Sequence, residues 1–476
     1  MSVSLNSFSK RLFALAVAAT LVLCPAMTLR AQSSGTGTIT GTVTDTTGAV
    51  VPNAAVVVTD TDTGVSHTYA ATGAGTYVAA FLQPGHYEVV LGGGSFGKVD
   101  RKNLVLTVGE TLTVDAALTA GATSTEVTVT SESPILDPQK TEVSQTLDTN
   151  FIANLPVATR NWSAFVLLTP NVTQDGGSGL VSFHGISGLY NQNYVDGANN
   201  NQMLFSEARG RASGAPFVYS VDSIKEFQAE TSNYSVEFGQ AAGGQVNAIT
   251  KSGTNAIHGD LFYALRYPTL NALDPLTKFN ALYNQPNPAI KSFLLTQPTH
   301  QQQEFGGSVG GPIIQDRLFY FFTYDGFRKV GKALYTDSNN LTLAGSGNAD
   351  GSTSSSLISP NQCPNNSYTD STKTYHSPTI YYLTTAQCNS AIAFLINEST
   401  AAPTRFAKED LFFPRLDYHI NSKNDVFVDF NFANFQSSYG YNSSATFSNS
   451  SPSTNAPTYY HERFLVGGLT TQIGTA

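Results

Sequence analysis

The sequence predicts a mostly β protein with three parts: a small β-sandwich, an α+β domain, and the first strands of an antiparallel β-barrel. Three observations lead to this prediction. Short alternating runs, separated by turn signals, recur through residues 35–120. Small residues then crowd the stretch Val221–Arg266. Finally, the number of Phe, Tyr and Trp residues rises from 19 in the first 255 positions to 33 in the remaining 221.

The first 31 residues have the features of a secretory signal. The basic pair Lys10-Arg11 precedes the apolar run Leu12–Leu23, and Ala31 offers a cleavage point. Cys24 leaves a lipoprotein signal as an alternative, although a leucine precedes it where such signals need a small residue. No other stretch reaches the ~18 consecutive apolar residues of a membrane helix. The protein is therefore expected to be exported.

Composition and motifs argue against several functions. The net charge is −9 and no Lys/Arg cluster occurs, which argues against nucleic acid as a partner. Two segments, Gly93–Gly97 and Gly306–Gly310, match the G-x-S-x-G motif of serine hydrolases. That motif needs a helix after the serine, and neither segment is followed by a helical pattern. We therefore expect that the protein is not an enzyme and that it binds neither a metal ion nor a cofactor.

The segment 35–120 is predicted to be a sandwich because about seven short strands recur at regular spacing. The predicted strands are Thr38–Thr44, Ala54–Thr59, Ser66–Ala71, Tyr77–Phe81, His86–Leu91, Leu104–Val108 and Thr111–Leu118. The phrases ITGTVTDTTGAVVPNAAVVVTDTDTG and GTYVAAFLQPGHYEVVL resemble the carboxypeptidase regulatory-like domain. This resemblance implies a transthyretin-like or immunoglobulin-like sandwich, often classed with carbohydrate-binding folds.

The small residues of Val221–Arg266 predict a close approach between two parts of the chain. Glycine weakens a strand and is tolerated where another backbone must come near. The positions that we select as a junction are Gly239, Gly243, Gly244, Gly253 and Gly259.

The segment 259–476 is predicted to begin a membrane barrel. The predicted strands are Gly259–Tyr267, Gln302–Pro312, Leu318–Arg328, Phe406–Ile420, Asp425–Gln436 and a last one from His461 to Gly474. Val426, Val428, Phe430 and Phe432 alternate with polar residues, as in strands with one face toward lipid. Long and short connections also alternate, which is typical of outer-membrane barrels.

Three phrases between these parts resemble the plug domain of TonB-dependent outer-membrane receptors. They are IANLPVATRNWSAFVLLTPNV (152–172), FHGISGLYNQNYVDGANNN (183–201) and the stretch that starts at Val221. A fourth, FGGSVGGPIIQDRLFYFFTYDGFRK (305–329), resembles the first barrel hairpin of the Oar-like subgroup. The resemblance implies a plug over 143–258, a partial barrel over 259–476, and uptake of an external ligand such as an oligosaccharide, a siderophore or a peptide.

The linker 121–142 contains the β-prone pentapeptide Glu126, Val127, Thr128, Val129 and Thr130. By position it resembles a TonB box, the extended segment that pairs with an edge of the periplasmic energy-coupling protein. The alternative is that it forms a final strand of the sandwich. The resemblance thus implies two contacts, a TonB-type partner and outer-membrane lipid.

Three further expectations remain. Cys363 and Cys388 are predicted to form a disulfide, with two free thiols as the alternative. About six strands are too few to close the barrel of about 22 that the resemblance implies, so the sequence is predicted to be a fragment, with a truncated reading frame or pseudogene product as the alternative. A surface carbohydrate-binding or adhesion protein, with the sandwich as its working module, is the second hypothesis for function.

Overall fold

The computed structural model describes most of the sandwich, parts of the plug segment and the long strands of the barrel segment. The described residues are 35–121, 143–154, 162–175, 180–202, 218–234, 239–270, 301–332, 404–438 and 457–472, with short pieces at 125–126, 272–273, 275–283, 291, 295, 334–336, 368–369, 374–375, 390 and 446–448. The secretory signal, Val127–Thr130, Cys363 and Cys388 therefore lie outside the described residues. No helix within these ranges is both long and apolar enough to cross a membrane.

Residues 37–121 and 125–126 form two packed sheets, as the sequence predicts. The strands are β1 (Gly37–Asp45), β2 (Ala55–Asp60), β3 (Ser66–Ala70), β4 (Thr76–Leu82), β5 (Gly85–Gly93), β6 (Phe96–Leu106), β7 (Thr111–Thr113), β8 (Ala116–Leu118) and β9 (Thr125–Glu126). One sheet has the order β4-β1-β7, with β8 also on β1, and the other has the order β3-β2-β5-β6-β9. Alternate side chains of both sheets meet in one core that includes Ile39, Val56, Val89 and Leu118.

Two details of the sandwich differ from the predicted strands. The sixth strand begins at Phe96 rather than Leu104, because Gly93 and Gly94 take positive φ values of 132° and 64° and turn the chain back at once. The last predicted strand is split into β7 and β8. At the split, the Asp115 carboxylate accepts a hydrogen bond of 2.7 Å from the Thr42 amide, so a side chain replaces a strand-to-strand bond.

The plug segment is a small α+β unit. Its elements are β10 (Val143–Leu147), α1 (Thr149–Asn154), α2 (Trp162–Val166), β11 (Val172–Asp175), β12 (Leu180–Phe183), β13 (Gln192–Val195), β14 (Ala198–Asn199), β15 (Ile224–Ser232) and β16 (Gln245–Thr250). Five of these strands make one sheet in the order β10-β15-β16-β13-β14. The predicted Asp-Gly turn joins β13 to β14, with φ values of 48° at Asp196 and 79° at Gly197.

The barrel segment forms a six-stranded antiparallel sheet, called the barrel sheet below. Its strands are β17 (His258–Arg266), β18 (Gln301–Ile314), β19 (Leu318–Lys332), β23 (Thr404–Asn421), β24 (Asn424–Ser437) and β26 (Thr458–Thr471), in chain order. The other described elements here are α3 (Pro275–Tyr283), β20 (Leu334–Thr336), β21 (Tyr368–Thr369), β22 (Thr374–Tyr375) and β25 (Thr446–Ser448). All six predicted strands are confirmed to within a few residues at each end.

The two faces of the barrel sheet differ in the way that the alternation predicts. Leu261, Leu465 and Val428 are exposed on one face, Leu261 to 93%. On the other face, Asp429 and Asn431 are buried. The inner face is covered by the plug segment: Phe321 and Phe413 of the barrel sheet belong to the same hydrophobic cluster as the plug core.

The sandwich contacts the end of the barrel sheet where the connections are short. His67 Nδ1 lies 2.9 Å from the carbonyl oxygen of Ser422, in the turn between β23 and β24. The Asn255 amide group, between plug and barrel, donates to the carbonyl oxygen of Thr63 at 2.7 Å and to Asp316 Oδ1 at 2.6 Å. One asparagine therefore links all three parts of the chain.

Candidate functional site at the plug–barrel interface

A buried arginine of the barrel sheet forms the main polar contact with the plug. Arg415 lies on the inner face of β23, and its side chain is 2% exposed. Its Nη1 lies 3.2 Å from Asp196 Oδ1 of the plug and donates to Thr250 Oγ1 at 2.7 Å. Because a buried guanidinium needs compensating charge, this contact fixes where the β13–β14 turn sits against the wall.

The barrel sheet itself supplies the remaining partners of this arginine. Asp417, two residues along the same strand, accepts bonds from Arg415 Nε at 3.0 Å and from Nη2 at 2.8 Å. Asp429 is the cross-strand partner of Arg415, and the Phe427 ring centre lies 4.5 Å from the guanidinium carbon. Three carboxylates and an aromatic face therefore surround one cation.

Within the plug, Thr250 holds the Asp196 carboxylate in place for this contact. Asp196 Oδ2 accepts a hydrogen bond of 2.7 Å from Thr250 Oγ1, and Asp196 Oδ1 accepts one of 3.0 Å from the Thr250 amide. The Thr250 hydroxyl thus donates to Asp196 and accepts from Arg415, which makes a continuous polar chain from plug to wall. The hydrogen bonds from Thr250 therefore orient the Asp196 carboxylate toward Arg415.

Two more contacts extend this interface along the barrel wall. Asn431 Nδ2 donates to the carbonyl oxygen of Val218 at 2.8 Å, and Ser220 Oγ donates to Asp325 Oδ2 at 2.9 Å. Beside them, the rings of Tyr219 and Phe413 meet edge to face with centroids 6.0 Å apart. The segment 218–220 therefore lies flat against the inner face of three barrel strands.

The five glycines selected from the sequence lie in different surroundings. At Gly253 a Cβ atom would collide with the carbonyl oxygens of Tyr320 and Gly311, the second at 2.7 Å, so this glycine lies directly against the barrel wall. Gly259 lies against β18 within the barrel sheet. Gly243 and Gly244 pack inside the plug, against Asn191 and Phe183 respectively, and no described atom lies within 4 Å of a Cβ built at Gly239.

The sandwich contacts the plug sheet at two neighbouring residues of β15. Glu226 Oε1 accepts a hydrogen bond of 2.5 Å from the Val108 amide, and Lys225 Nζ donates to the carbonyl oxygen of Pro84 at 2.5 Å. Burial raises the pKa of Glu226 from its ordinary 4.5 to about 7, although Lys225 and the Val108 amide oppose the rise.

The predicted TonB box is described only at its first residue. Glu126 belongs to β9, which pairs in parallel with β6 at the edge of the sandwich. The remaining four residues lie outside the described ranges, so the coupling role stays a prediction. Of the two G-x-S-x-G serines, Ser95 lies in the turn between β5 and β6, and Ser308 lies within β18.

Sequence reasoning did not select Arg415, Asp196, Thr250 or Asn255 as site residues. One signal was present: Arg415 stands at an inward position in the middle of a predicted membrane strand, where a charge needs a partner. The identity of that partner could not be read from the sequence, because Asp196 lies far away along the chain.

Two family models match this chain. The outer membrane β-barrel domain matches residues 249–471, and the carboxypeptidase regulatory-like domain matches residues 38–119. The chain thus contains a region similar to the outer membrane β-barrel domain and, before it, a region similar to the carboxypeptidase regulatory-like domain. The chain is also similar to the TonB-dependent transporter Oar of Myxococcus xanthus, with 28% identity over 303 residues. The resemblance drawn from the sequence is confirmed.

The aligned region covers 61% of this chain and 26% of the length of that relative. Among solved structures, the outer membrane transporter YddB of Escherichia coli has a TM-score of 0.43 and 14% identity, over 69% of this chain and 37% of its own. A mutant of the ferric enterobactin receptor PfeA of Pseudomonas aeruginosa has a TM-score of 0.38 and 14% identity, over 68% and 38%.

Proposed function

We propose that this chain works in a TonB-dependent outer-membrane transporter, which takes up a ligand too large or too scarce for passive pores. The observation that supports this most is the plug sheet seated on the inner face of the barrel sheet and joined to it by Arg415 and Asp196. A plug fixed by a few specific polar contacts closes the pore at rest and can still be displaced. The fold and the homology to an outer-membrane transporter agree with this role.

Coupling to energy is assigned to the segment that starts at Glu126. An exposed, extended, β-branched peptide can add a strand to the edge of a TonB-type protein, and backbone hydrogen bonds then transmit a pull. The next described element after this segment is β10, the edge strand of the plug sheet. A pull on the segment would therefore reach the plug through its outermost strand.

The ligand belongs to one of three classes: an oligosaccharide, a siderophore or a peptide. The long connections of the barrel segment, which follow β17, β19 and β24, are where such a ligand would be chosen. The second hypothesis is a surface carbohydrate-binding or adhesion protein. No specific observation among the described residues favours it, and there the sandwich packs against the plug and the barrel sheet.

Membrane fractionation and an uptake assay test this proposal. The intact protein should fractionate with outer membranes, and growth on a limiting ligand of one of these classes should depend on both this gene and the energy-coupling protein. Deletion of the coupling protein should abolish uptake, while diffusion of small solutes through porins continues. Recovery of the protein in the soluble periplasmic fraction would reject the proposal.

A further inference from the structure

Asp429 of the barrel sheet is a buried carboxylate next to the arginine that contacts the plug. It is the cross-strand partner of Arg415 on the inner face of the sheet, and it is 1% exposed. Within the described ranges, neither oxygen of its carboxylate has a hydrogen-bond partner. A buried carboxylate without donors is costly, and native proteins satisfy most such groups. A partner that Asp429 meets in another state of the protein would account for this cost.

Two other carboxylates bind the guanidinium group of Arg415 at rest. Its Nε and Nη2 donate to Asp417 at 3.0 and 2.8 Å, and its Nη1 lies 3.2 Å from Asp196 Oδ1 of the plug. The guanidinium carbon lies 4.5 Å from the centre of the Phe427 ring, and Phe427 is the cross-strand partner of Asp417. The arginine side chain is therefore turned toward the neighbouring cross-strand pair and away from Asp429.

This cluster contains three carboxylates that interact with one guanidinium group. They belong to Asp196, Asp417 and Asp429. Like charges repel strongly in a buried site, where the effective dielectric constant is low. Asp196 comes from the plug, whereas the other two residues belong to the barrel sheet. Displacement of the plug would remove Asp196 and Thr250 together, and Arg415 Nη1 would lose both of its contacts.

Asp429 lies close enough to Arg415 to replace the plug carboxylate. Residues directly opposite each other in an antiparallel sheet have Cβ atoms roughly 4.5–5.5 Å apart, which is well within the reach of an arginine side chain. The strands β23 and β24 that carry the two residues are also paired with β19 and β26 on their outer sides. Rotation of the arginine side chain alone would therefore bring Nη1 to Asp429, with no movement of the strands.

We infer that Asp429 is the alternative partner of Arg415, which binds the guanidinium group when the plug carboxylate Asp196 is displaced. This inference rests on the proposed function, because it requires a plug that moves. Arg415 keeps its full set of partners in both states, so plug displacement does not leave a buried cation with part of its compensation missing. Competition from Asp429 also weakens the contact between Arg415 and the plug at rest.

Hydrogen exchange of the plug strands in the intact protein, measured in detergent, tests the inference. The backbone amides of β15 and β16 exchange when the plug opens, and those of β18 and β19 report whether the barrel sheet stays folded. Asp429→Asn keeps the shape of the side chain and removes its negative charge. We expect β15 and β16 to exchange at least about threefold more slowly in this variant, because the opened state loses its replacement contact.

The slower exchange should depend on the plug carboxylate. In an Asp196→Asn background the plug offers Arg415 no charge for which Asp429 could compete, so the further change Asp429→Asn should not slow exchange. Faster or unchanged exchange in Asp429→Asn alone would overturn the inference, and so would equal slowing in both backgrounds. The matched control is Asp410→Asn, because Asp410 lies on the opposite face of β23 and pairs there with Arg328 at 2.6 Å. It should leave exchange of the plug strands unchanged.

A second variant decides the question if Asp429→Asn does not fold. Asp429→Glu keeps the charge and extends it toward Arg415, so β15 and β16 should exchange at least about threefold faster when Asp196 is present, and at an unchanged rate in the Asp196→Asn background. Slower or unchanged exchange with Asp196 present would overturn the inference. These measurements need no coupling protein, so their failure rejects the inference alone, whereas the fractionation and uptake assays judge the proposed function.

Discussion

Arg415 Nη1 lies 3.2 Å from Asp196 Oδ1, and this ion pair joins the barrel wall to the plug. Both side chains are almost fully buried, at 2% and 4% exposure. A pair of this kind contributes little when complete, but the loss of one partner leaves a charge without compensation in a dry site. It is therefore a sensitive point for plug stability.

Arg415→Ala should destabilise the plug by about 3–5 kcal/mol, because Asp196, Asp417 and Asp429 lose their common cation. The single tryptophan, Trp162, lies in α2 of the plug, so its fluorescence during urea unfolding reports the plug itself. The control is Arg328→Ala, whose 2.6 Å pair with Asp410 is partly exposed. That change should cost only about 0–1 kcal/mol. Similar losses for both variants would contradict the assigned role of Arg415.

Gly253→Ala should destabilise the plug–barrel contact by about 1–3 kcal/mol, since the added methyl group meets the Tyr320 and Gly311 carbonyl oxygens. Gly239→Ala is the matched control, because no described atom lies within 4 Å of its new Cβ. It should change stability by no more than about 0.5 kcal/mol. Trp162 fluorescence again provides the measurement, and a tolerated Gly253→Ala would show that the wall yields at this point.

Glu226→Gln should change the pH dependence of stability. The pKa of Glu226 is about 7 in the folded protein, above its ordinary 4.5, so the folded state binds this proton up to a higher pH than the unfolded state does. The stability from the protonated carboxyl is then complete below about pH 4.5 and lost as pH rises through 7. Glutamine stays neutral and can still accept from the Val108 amide.

The Glu226→Gln variant should therefore be more stable than the parent at pH 8.5, by up to the order of 3 kcal/mol, and nearly equal to it at pH 4.5. Calorimetric melting at both pH values measures this. Asp45→Asn provides a control of opposite sign, because hydrogen bonds from Thr47 and Ala49 lower the pKa of that exposed carboxyl. An equal effect of Glu226→Gln at both pH values would reject the assigned titration.

Val428→Lys should impair insertion and stability of the barrel sheet, because this position is exposed on the apolar face of β24. A lysine at the middle of the lipid layer costs about 2–4 kcal/mol. The control is Gln436→Lys, because Gln436 lies on the same face of β24 but near the end of the strand. This change should cost about 0–1 kcal/mol. Heat-dependent gel mobility of the protein refolded in lipid compares them. Equal folding of both variants would mean that this face does not meet lipid.

Residue patterns alone predicted the long strands well. The dyad of Val426, Val428, Phe430 and Phe432 against Asp429 marks both the strand and its two faces, since a half-lipid, half-polar environment allows little else. Local turn chemistry was equally readable, as at Asp196-Gly197. The ends of the strands in the sandwich were harder to predict, because a side-chain carboxylate such as that of Asp115 can replace a backbone hydrogen-bond acceptor.

The candidate site was not predictable in the same way. The small size of Gly253 predicts a close approach of another backbone, but Gly243 and Gly244 are equally small and pack inside the plug. A glycine in the sequence indicates that another group packs closely against that position, but it does not indicate which group.

The sequence by itself determined the mostly β fold class, the long strands of the barrel sheet and the two faces of β24, because these depend on the alternation of near neighbours in the chain. Only the tertiary structure decided that Arg415 meets Asp196, that Asn255 bridges all three parts, and that Glu226 lies buried under the sandwich. Those contacts join residues far apart in the chain, and their energies depend on burial and geometry that no local pattern encodes.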